Sequence, residues 1–258
     1  MKKYIAIVFL LGIFSITAQQ SEAFKSGEWL KFRIHYGIFN ACFATLHLKS
    51  ASVNNTPMYY AVGEGKTTGF LNLFFRVHDV FESYFDKDHG KPLKSIINTY
   101  EGGYTKNVEI DFNHSSGLAH YNDKKKQQEH EIQIKQEIQD VISAFYYLRN
   151  RVDTQTIKKG DSVDLDMLFD DDGVFKFKIT YLGKETLKTK FGKVECLKFR
   201  PLVQSGRVFK EKESITLWVS NDLNKIPIRI QAALAVGTLK ADLHAFNGLK
   251  NQFKILVD

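Results

Sequence analysis

The chain has 258 residues, 43% of them hydrophobic and 13% aromatic, and a formal net charge of +7. This composition excludes a disordered chain, which lacks the apolar surface to offset chain entropy, and the 2 cysteines exclude a disulfide-stapled miniprotein. With 21 Phe and 11 Tyr against 4 Pro, the balance favours strands over a loop-rich chain.

Residues 1–18 read as a signal peptide. Lys2 and Lys3 precede an apolar run from Tyr4 to Phe14, and Ser15-Ile16-Thr17-Ala18 supplies a small residue at the cleavage site. The run is shorter than the roughly 20 residues that span a bilayer. Cys42 lies too far downstream for lipid attachment. The reading is a periplasmic or secreted chain with no transmembrane span once residues 19–258 are mature. Cleavage lowers the net charge to +5, spread along the sequence, and gives no reason to expect nucleic acid as a partner.

From Gly27 onward the dominant signal has period two, the mark of half-buried antiparallel strands. Leu30, Phe32, Ile34 and Tyr36 alternate with Lys31, Arg33 and His35. Ala44, Leu46 and Leu48 alternate with Thr45, His47 and Lys49. The same alternation runs through Phe75, Val77, Phe81 and Phe85, then through Val108, Ile110 and Phe112. Lys124-Lys125-Lys126 reads as a solvated hairpin tip. Later runs are Val163 to Phe169, Phe175 to Tyr181, Ile215 to Val219, Ile226 to Ile230 and Leu239 to Leu243.

Turn chemistry separates these runs at Asn54-Asn55, Asp171-Asp172-Gly173, Phe191-Gly192 and Asn221-Asp222. Short turns between consecutive strands make an antiparallel meander. About a dozen strands curl rather than lie flat. The predicted fold is therefore mainly β: a large curved antiparallel sheet, barrel or half-barrel, in a single domain. One segment breaks the period. Asp140–Arg151 reads as a helix of about three turns, with Asp140 as N-cap and an apolar stripe of Val141, Phe145, Leu148 and Val152 packed on the sheet. Gly248–Asp258 is either a last strand or a tail.

Four landmarks carry a resemblance. They are Gly27-Glu28-Trp29-Leu30, the helix motif from Asp140 to Arg149, Phe191-Gly192-Lys193-Val194-Glu195-Cys196, and Trp218-Val219-Ser220-Asn221-Asp222 leading to Ile226-Pro227-Ile228. In this order the chain resembles the domain of unknown function 3108 family of exported Gram-negative proteins, over nearly all of Phe24 to Phe246. Asn40-Ala41-Cys42-Phe43 departs from the glycine usual at the family's second strand. The resemblance implies an envelope location and a β-rich fold, and transfers no catalytic residue.

Other signals have structural readings beside their chemical ones. Gly63-Glu64-Gly65-Lys66-Thr67 lacks the leading glycine of a phosphate loop, since Tyr60 holds that place, so no nucleotide is expected. Asp170-Asp171-Asp172-Gly173 lacks the alternating acids and closing Glu of a calcium loop and reads as a turn. His35 and His47 are expected as neighbours on the polar faces of two strands, which is short of a metal site. His78, Glu82 and Arg76 suggest an ion-pair ladder. Cys42 and Cys196 fit either a disulfide or two buried thiols. Glu28, Asp79, Glu82 and Asp140 are the acids nearest the landmarks, with strand-end and helix-cap roles expected before catalytic ones. No catalytic residue, metal or cofactor is assigned. The function expected is a non-catalytic envelope protein holding a lipid-like ligand or a partner chain in its curved sheet. The alternatives are a scaffold with a filled core and an enzyme acting on envelope glycan or peptidoglycan.

Overall fold

The computed structural model describes residues 22–69, 71–203, 215–234 and 237–256; the predicted signal peptide lies outside them. Fourteen strands form one antiparallel sheet. The first meander is β1 (Trp29–Tyr36), β2 (Phe39–Val53), β3 (Thr56–Thr67), β4 (His78–Asp86), β5 (Pro92–Glu101), β6 (Tyr104–Asn113), β7 (Leu118–Asp123) and β8 (Gln128–Gln133). The second is β9 (Ser162–Met167), β10 (Phe175–Thr189), β11 (Gly192–Val203), β12 (Ile215–Ser220), β13 (Pro227–Ala233) and β14 (Thr238–Asn247). A four-residue helix α1 (Leu71–Phe74) lies between β3 and β4, and α2 (Val141–Arg151) lies between the two meanders. The meanders join where β1 pairs with β14, so the order runs β8 to β1, then β14 to β9.

The sheet curls without closing. Its edge strands β8 and β9 do not pair with each other, and the segment after β8 spans the gap. Ile134 N–H donates to the Gly117 carbonyl on one side. Gln139 forms a bridge beside Met167 on the other, donating to the Asp166 carbonyl and accepting from Leu168 N–H. Seam residues Ile134, Ile138 and Leu168 bury themselves against Val108, Ile110, Phe112 and Tyr121.

Alternation places the expected apolar residues on the concave face. Leu30 and Leu48 are fully buried, as are Val108 and Ile110. The predicted turns all occur: Asn54 and Asn55 both take positive φ (50° and 64°) between β2 and β3, as a tight primed hairpin requires. The period-two reading missed β5, β7 and β8. In β5 the adjacent Ile96 and Ile97 break the alternation, and β8 (QEHEIQ) is a polar edge strand. The C-terminal segment is neither of the expected forms alone: Phe253 packs into an aromatic cluster with Phe191 and Phe246, while Leu256 bridges Lys193.

Helix α2 forms where predicted, and Phe145, Leu148 and Val152 pack on the sheet as expected, but its buried face extends beyond the predicted stripe. Ser143, Ala144, Tyr146 and Arg149 are buried, whereas Val141 is 40% exposed. The reason is a set of polar anchors along the helix. At its start, Asp140 accepts from Ile142 and Ser143 N–H, while Ser143 Oγ accepts from Asp140 N–H, a reciprocal cap. Ser83 on β4 donates a further hydrogen bond to Asp140 at 2.5 Å. Burial outweighs these bonds and raises the Asp140 carboxyl to about 6. At the other end Arg149 forks onto fully buried Glu28 (2.5 and 2.8 Å) and donates to the Ala23 and Asn224 carbonyls. The Phe24, Phe145 and Tyr146 rings surround its guanidinium. A buried pair of this kind is satisfied only as a unit, which fixes α2 at one depth in the sheet.

Candidate functional site

In a meander, alternate connections fall at the same end of the sheet. The β1–β2, β3–β4, β5–β6, β9–β10 and β13–β14 connections therefore share one end, and the N-terminal segment, with Ala23 and Phe24, packs at the other. Along β1 the concave side chains pass from fully buried Leu30 to partly exposed Phe32 and Ile34. Along β2 they pass from Leu48 through Leu46 to partly exposed Ala44 and Cys42. On the other wall Ala241 and Leu239 of β14 are partly exposed and Ile230 of β13 is exposed, while Ala232, one step nearer the end of β13, is buried. Gly65 lies on the same concave side as Gly63, and a Cβ added there would meet nothing within 4 Å. At this end the concave face therefore keeps partly exposed apolar side chains, which form a mouth.

Helix α2 sets the floor of this mouth. It sits against β3 and β4, where a Cβ at Gly63 would lie 3.1 Å from Ile142 Cδ1. The glycines of Gly63-Glu64-Gly65-Lys66-Thr67 therefore admit a helix and line a space. Facing the second meander, α2 leaves an apolar slot of about 60 Å³. Phe145, Leu148 and Val152 form one wall, and Ile179, Phe199, Leu217 and Val219 form the other. Phe145, Leu148 and Val152 of the predicted stripe pack against the sheet along this slot, and Val141 alone stays out of it.

The lip of the mouth is also apolar. Ile38 is 89% and Phe74 70% exposed, and Phe39, Phe75 and Tyr104 are exposed on the same set of connections. Phe75 lies across Gly102 so closely that a side chain there would run into its ring. Arg76 and Lys125 stand over Tyr100 and Tyr104. The polar groups of the mouth include Cys42, Asp79 and Glu101; Lys106, on the same face of β6, reaches over the Phe169 ring toward Asp170 and Asp171. Burial first, then the neighbouring Glu101 charge, push the Asp79 carboxyl up, and burial with Asp79 pushes the Cys42 thiol up.

A family model described as a protein of unknown function (DUF3108) matches residues 31–244. The chain belongs to the DUF3108 family. Its structure is similar to a β-barrel-like protein of domain of unknown function DUF1849 from Brucella abortus. The TM-score is 0.56 at 9% identity, covering 85% of this chain and 96% of that one. A DUF1089 family protein from Pseudomonas aeruginosa is more distant, with a TM-score of 0.39 at 10% identity over 72% of this chain and 87% of that one. The first likeness shows the fold alone. No curated protein matches the sequence.

In this DUF3108 chain the other predicted residues are dispersed. Glu28 is committed to Arg149 and Asp140 to the helix cap. Glu82 lies on the convex face, accepting from Tyr60, while Asp79 lies in the mouth. The four acids do not converge. His35 and His47 are not neighbours: His35 stands opposite Asn40 and His47 opposite Trp29, so about six residues, or roughly 20 Å of strand, separate them. His35 pairs instead with Asp242 at 2.9 Å, and His78 with Glu64 at 3.1 Å. Asp170, Asp171 and Asp172 group in the β9–β10 turn, where Asp171 pairs with Lys126 and Asp170 accepts from Asp172 N–H.

Cys42 and Cys196 are free thiols, and only Cys196 is buried, so neither of the two arrangements expected from the sequence holds in full. Cys42 is in the mouth, and Cys196 is buried with Leu187, Val194 and Trp218, where burial pushes its thiol up to about 12. An open groove of about 870 Å³ crosses the convex face of β4 to β8. Its Asp111 is ion-paired with Lys94, and its His120 with Glu129. Among the described residues no helix is long and apolar enough to cross a membrane.

The sequence led to the expectation of a concave face only partly covered by the helix, but could not assign its lining, because strand-end exposure depends on where α2 stops. The available signal was Gly65, a strand glycine on the concave face.

Proposed function

We propose that this chain is a non-catalytic protein of the cell envelope, exported by its N-terminal signal, that holds the apolar part of a lipid-like ligand in the mouth of its curved sheet. The observation that carries the reading is the open concave face. Phe32, Ile34, Leu217, Leu239 and Ala241 point inward yet remain partly exposed. Apolar surface left in water is what an apolar ligand would cover, at about 25 cal/mol per Å². The slot of about 60 Å³ is far smaller than the roughly 300 Å³ of an ordinary small-molecule pocket. The ligand would therefore lie mainly in the mouth, with one end in the slot. Asp79 and Glu101 at the lip disfavour a second acid nearby, so a neutral or amine-bearing headgroup fits better than a carboxylate.

The test is fluorescence titration with the neutral apolar dye 1-N-phenylnaphthylamine, followed by displacement with monopalmitin or palmitate. The reading predicts saturable dye binding, stronger displacement by monopalmitin, and loss of both in Gly65→Phe, which fills the mouth. A folded protein that binds no dye supports the second reading, a scaffold with a filled core, which the small volume of the slot favours.

A further inference from the structure

On the convex side, the tip of the β10–β11 hairpin folds over β1, β14 and β13 and leaves a groove of about 440 Å³. Four separate chain segments bring charge to it. Arg33 comes from β1, Lys188 and Lys190 from the hairpin tip, Arg229 from β13 and His244 from β14. The one carboxylate in the lining is Asp242, and it is already engaged. It accepts from Arg229 Nε at 2.5 Å and meets His35 Nε2 at 2.9 Å. Among the described residues Arg33, Lys188 and Lys190 have no carboxylate partner. Lys190 stands over the Phe191 ring, and nearby Lys31 stands over Phe43, so aromatic faces hold these cations where acids do not.

The surface ion pairs elsewhere make the contrast. Lys94, Lys124, Lys126 and Lys198 each meet a carboxylate. In the groove, cations converge and the compensating acids are missing, an arrangement whose mutual repulsion an external anion relieves. His244 registers the imbalance: burial, then Lys190, Lys31 and Arg33, hold its imidazole below the ordinary histidine range.

We propose that this groove binds a compact phosphate-bearing group of about the size of a diphosphate. Arg33 supplies a planar fork, and the hairpin lysines supply point charges from the opposite wall. The same chemistry is presented by a soluble phosphorylated compound and by a phosphorylated lipid headgroup. The groove lies on the opposite side of the sheet from the mouth, and its assignment does not rest on the ligand proposed there.

The experiment titrates the mature protein with inorganic pyrophosphate while following the His244 ring protons by NMR. A bound anion favours the imidazolium, so the His244 pKa should rise and binding should tighten as pH falls. The groups facing the ring are Lys31 and Arg33 on β1, Lys190 on the hairpin tip, and Arg229 with Asp242 on the groove floor. The double variant Arg33→Gln/Lys190→Gln should weaken binding about 10-fold or more. The control Lys176→Gln/Lys178→Gln, which removes equal charge on β10 outside the groove, should leave affinity unchanged.

In a parallel arm, sedimentation with phosphatidic acid vesicles against phosphatidylcholine vesicles distinguishes the sources. Retention on the first alone, lost in the double variant, assigns a lipid headgroup, and pyrophosphate binding without retention assigns a soluble compound. Absence of a saturable His244 response together with absence of vesicle retention overturns the proposal. Equal weakening in the control variant overturns it too, by reducing the effect to diffuse charge.

Discussion

The concave faces over β5–β7 and over β12–β14 have the same alternating construction and opposite fates. Over β5–β7, Val108, Ile110 and Ala119 are fully buried beneath Ile138 and Leu168. Over β12–β14, Leu217, Ala241 and Leu239 stay partly exposed, and α2 faces the nearby strands across a slot. The difference comes from the connecting segments. The chain from Ile134 to Asp140 and the residues after β9 both turn inward over the first face. Nothing described does so over the upper part of the second. Alternation decides which side of a strand is apolar, and coverage is decided by segments that have no period of their own.

The largest expected effect comes from releasing the helix that separates the two regions. Arg149→Met leaves Glu28 buried without its partner and should lower unfolding stability by about 3–5 kcal/mol in urea denaturation. Adding Glu28→Gln should recover part of that loss. If Arg149→Met is neutral, the clamp does not set the depth of α2.

Next comes the direct contrast of the two faces. Leu168→Ala, in the covered region, should cost about 2–5 kcal/mol. Leu217→Ala, already partly in water, should cost less than about 1 kcal/mol. Equal costs would erase the distinction.

The cap of α2 gives a pH signature. The Asp140 carboxyl is raised by burial to about 6 from an ordinary 3.8, so the folded state keeps a proton that the unfolded chain releases. Stability should therefore fall as pH rises from about 4 to about 6, by up to about 3 kcal/mol, and stay flat above that window. Asp140→Asn should remove this slope, as read from denaturation midpoints at each pH. The smallest effect is expected at Gly65. Replacement by Phe in a strand facing open space should stabilise by about 0.5–1 kcal/mol or less, which makes it a clean probe of ligand binding.

Much of this fold was legible from the sequence. The period-two runs, the Asn54-Asn55 turn and the capped helix at Asp140 are local features, and each formed where its residues indicated. What local pattern could not show was which helix face would be buried. Arg149 and Ser143 count as polar in any periodicity, yet Glu28 and the Asp140 cap make that face the inner one. Long-range partners such as Glu28 and Arg149, 121 positions apart, leave no periodic trace. The expected proximity of His35 and His47 failed for a related reason. A shared polar face says nothing of position along the strand, and the register placed them at opposite ends.

The two native cysteines offer the most direct measurement, because Cys42 stands in the open mouth and Cys196 in the closed core. The folded protein would be treated with a maleimide at about pH 8, where thiols begin to ionise. Peptide mass spectrometry would then locate the label, with and without monopalmitin. The predicted result is modification of Cys42, protection of Cys196 until the chain unfolds, and slower labelling of Cys42 when monopalmitin is present. Equal labelling of both thiols would contradict the division into open and closed regions, and labelling of Cys42 unaffected by monopalmitin would contradict the mouth as a binding site.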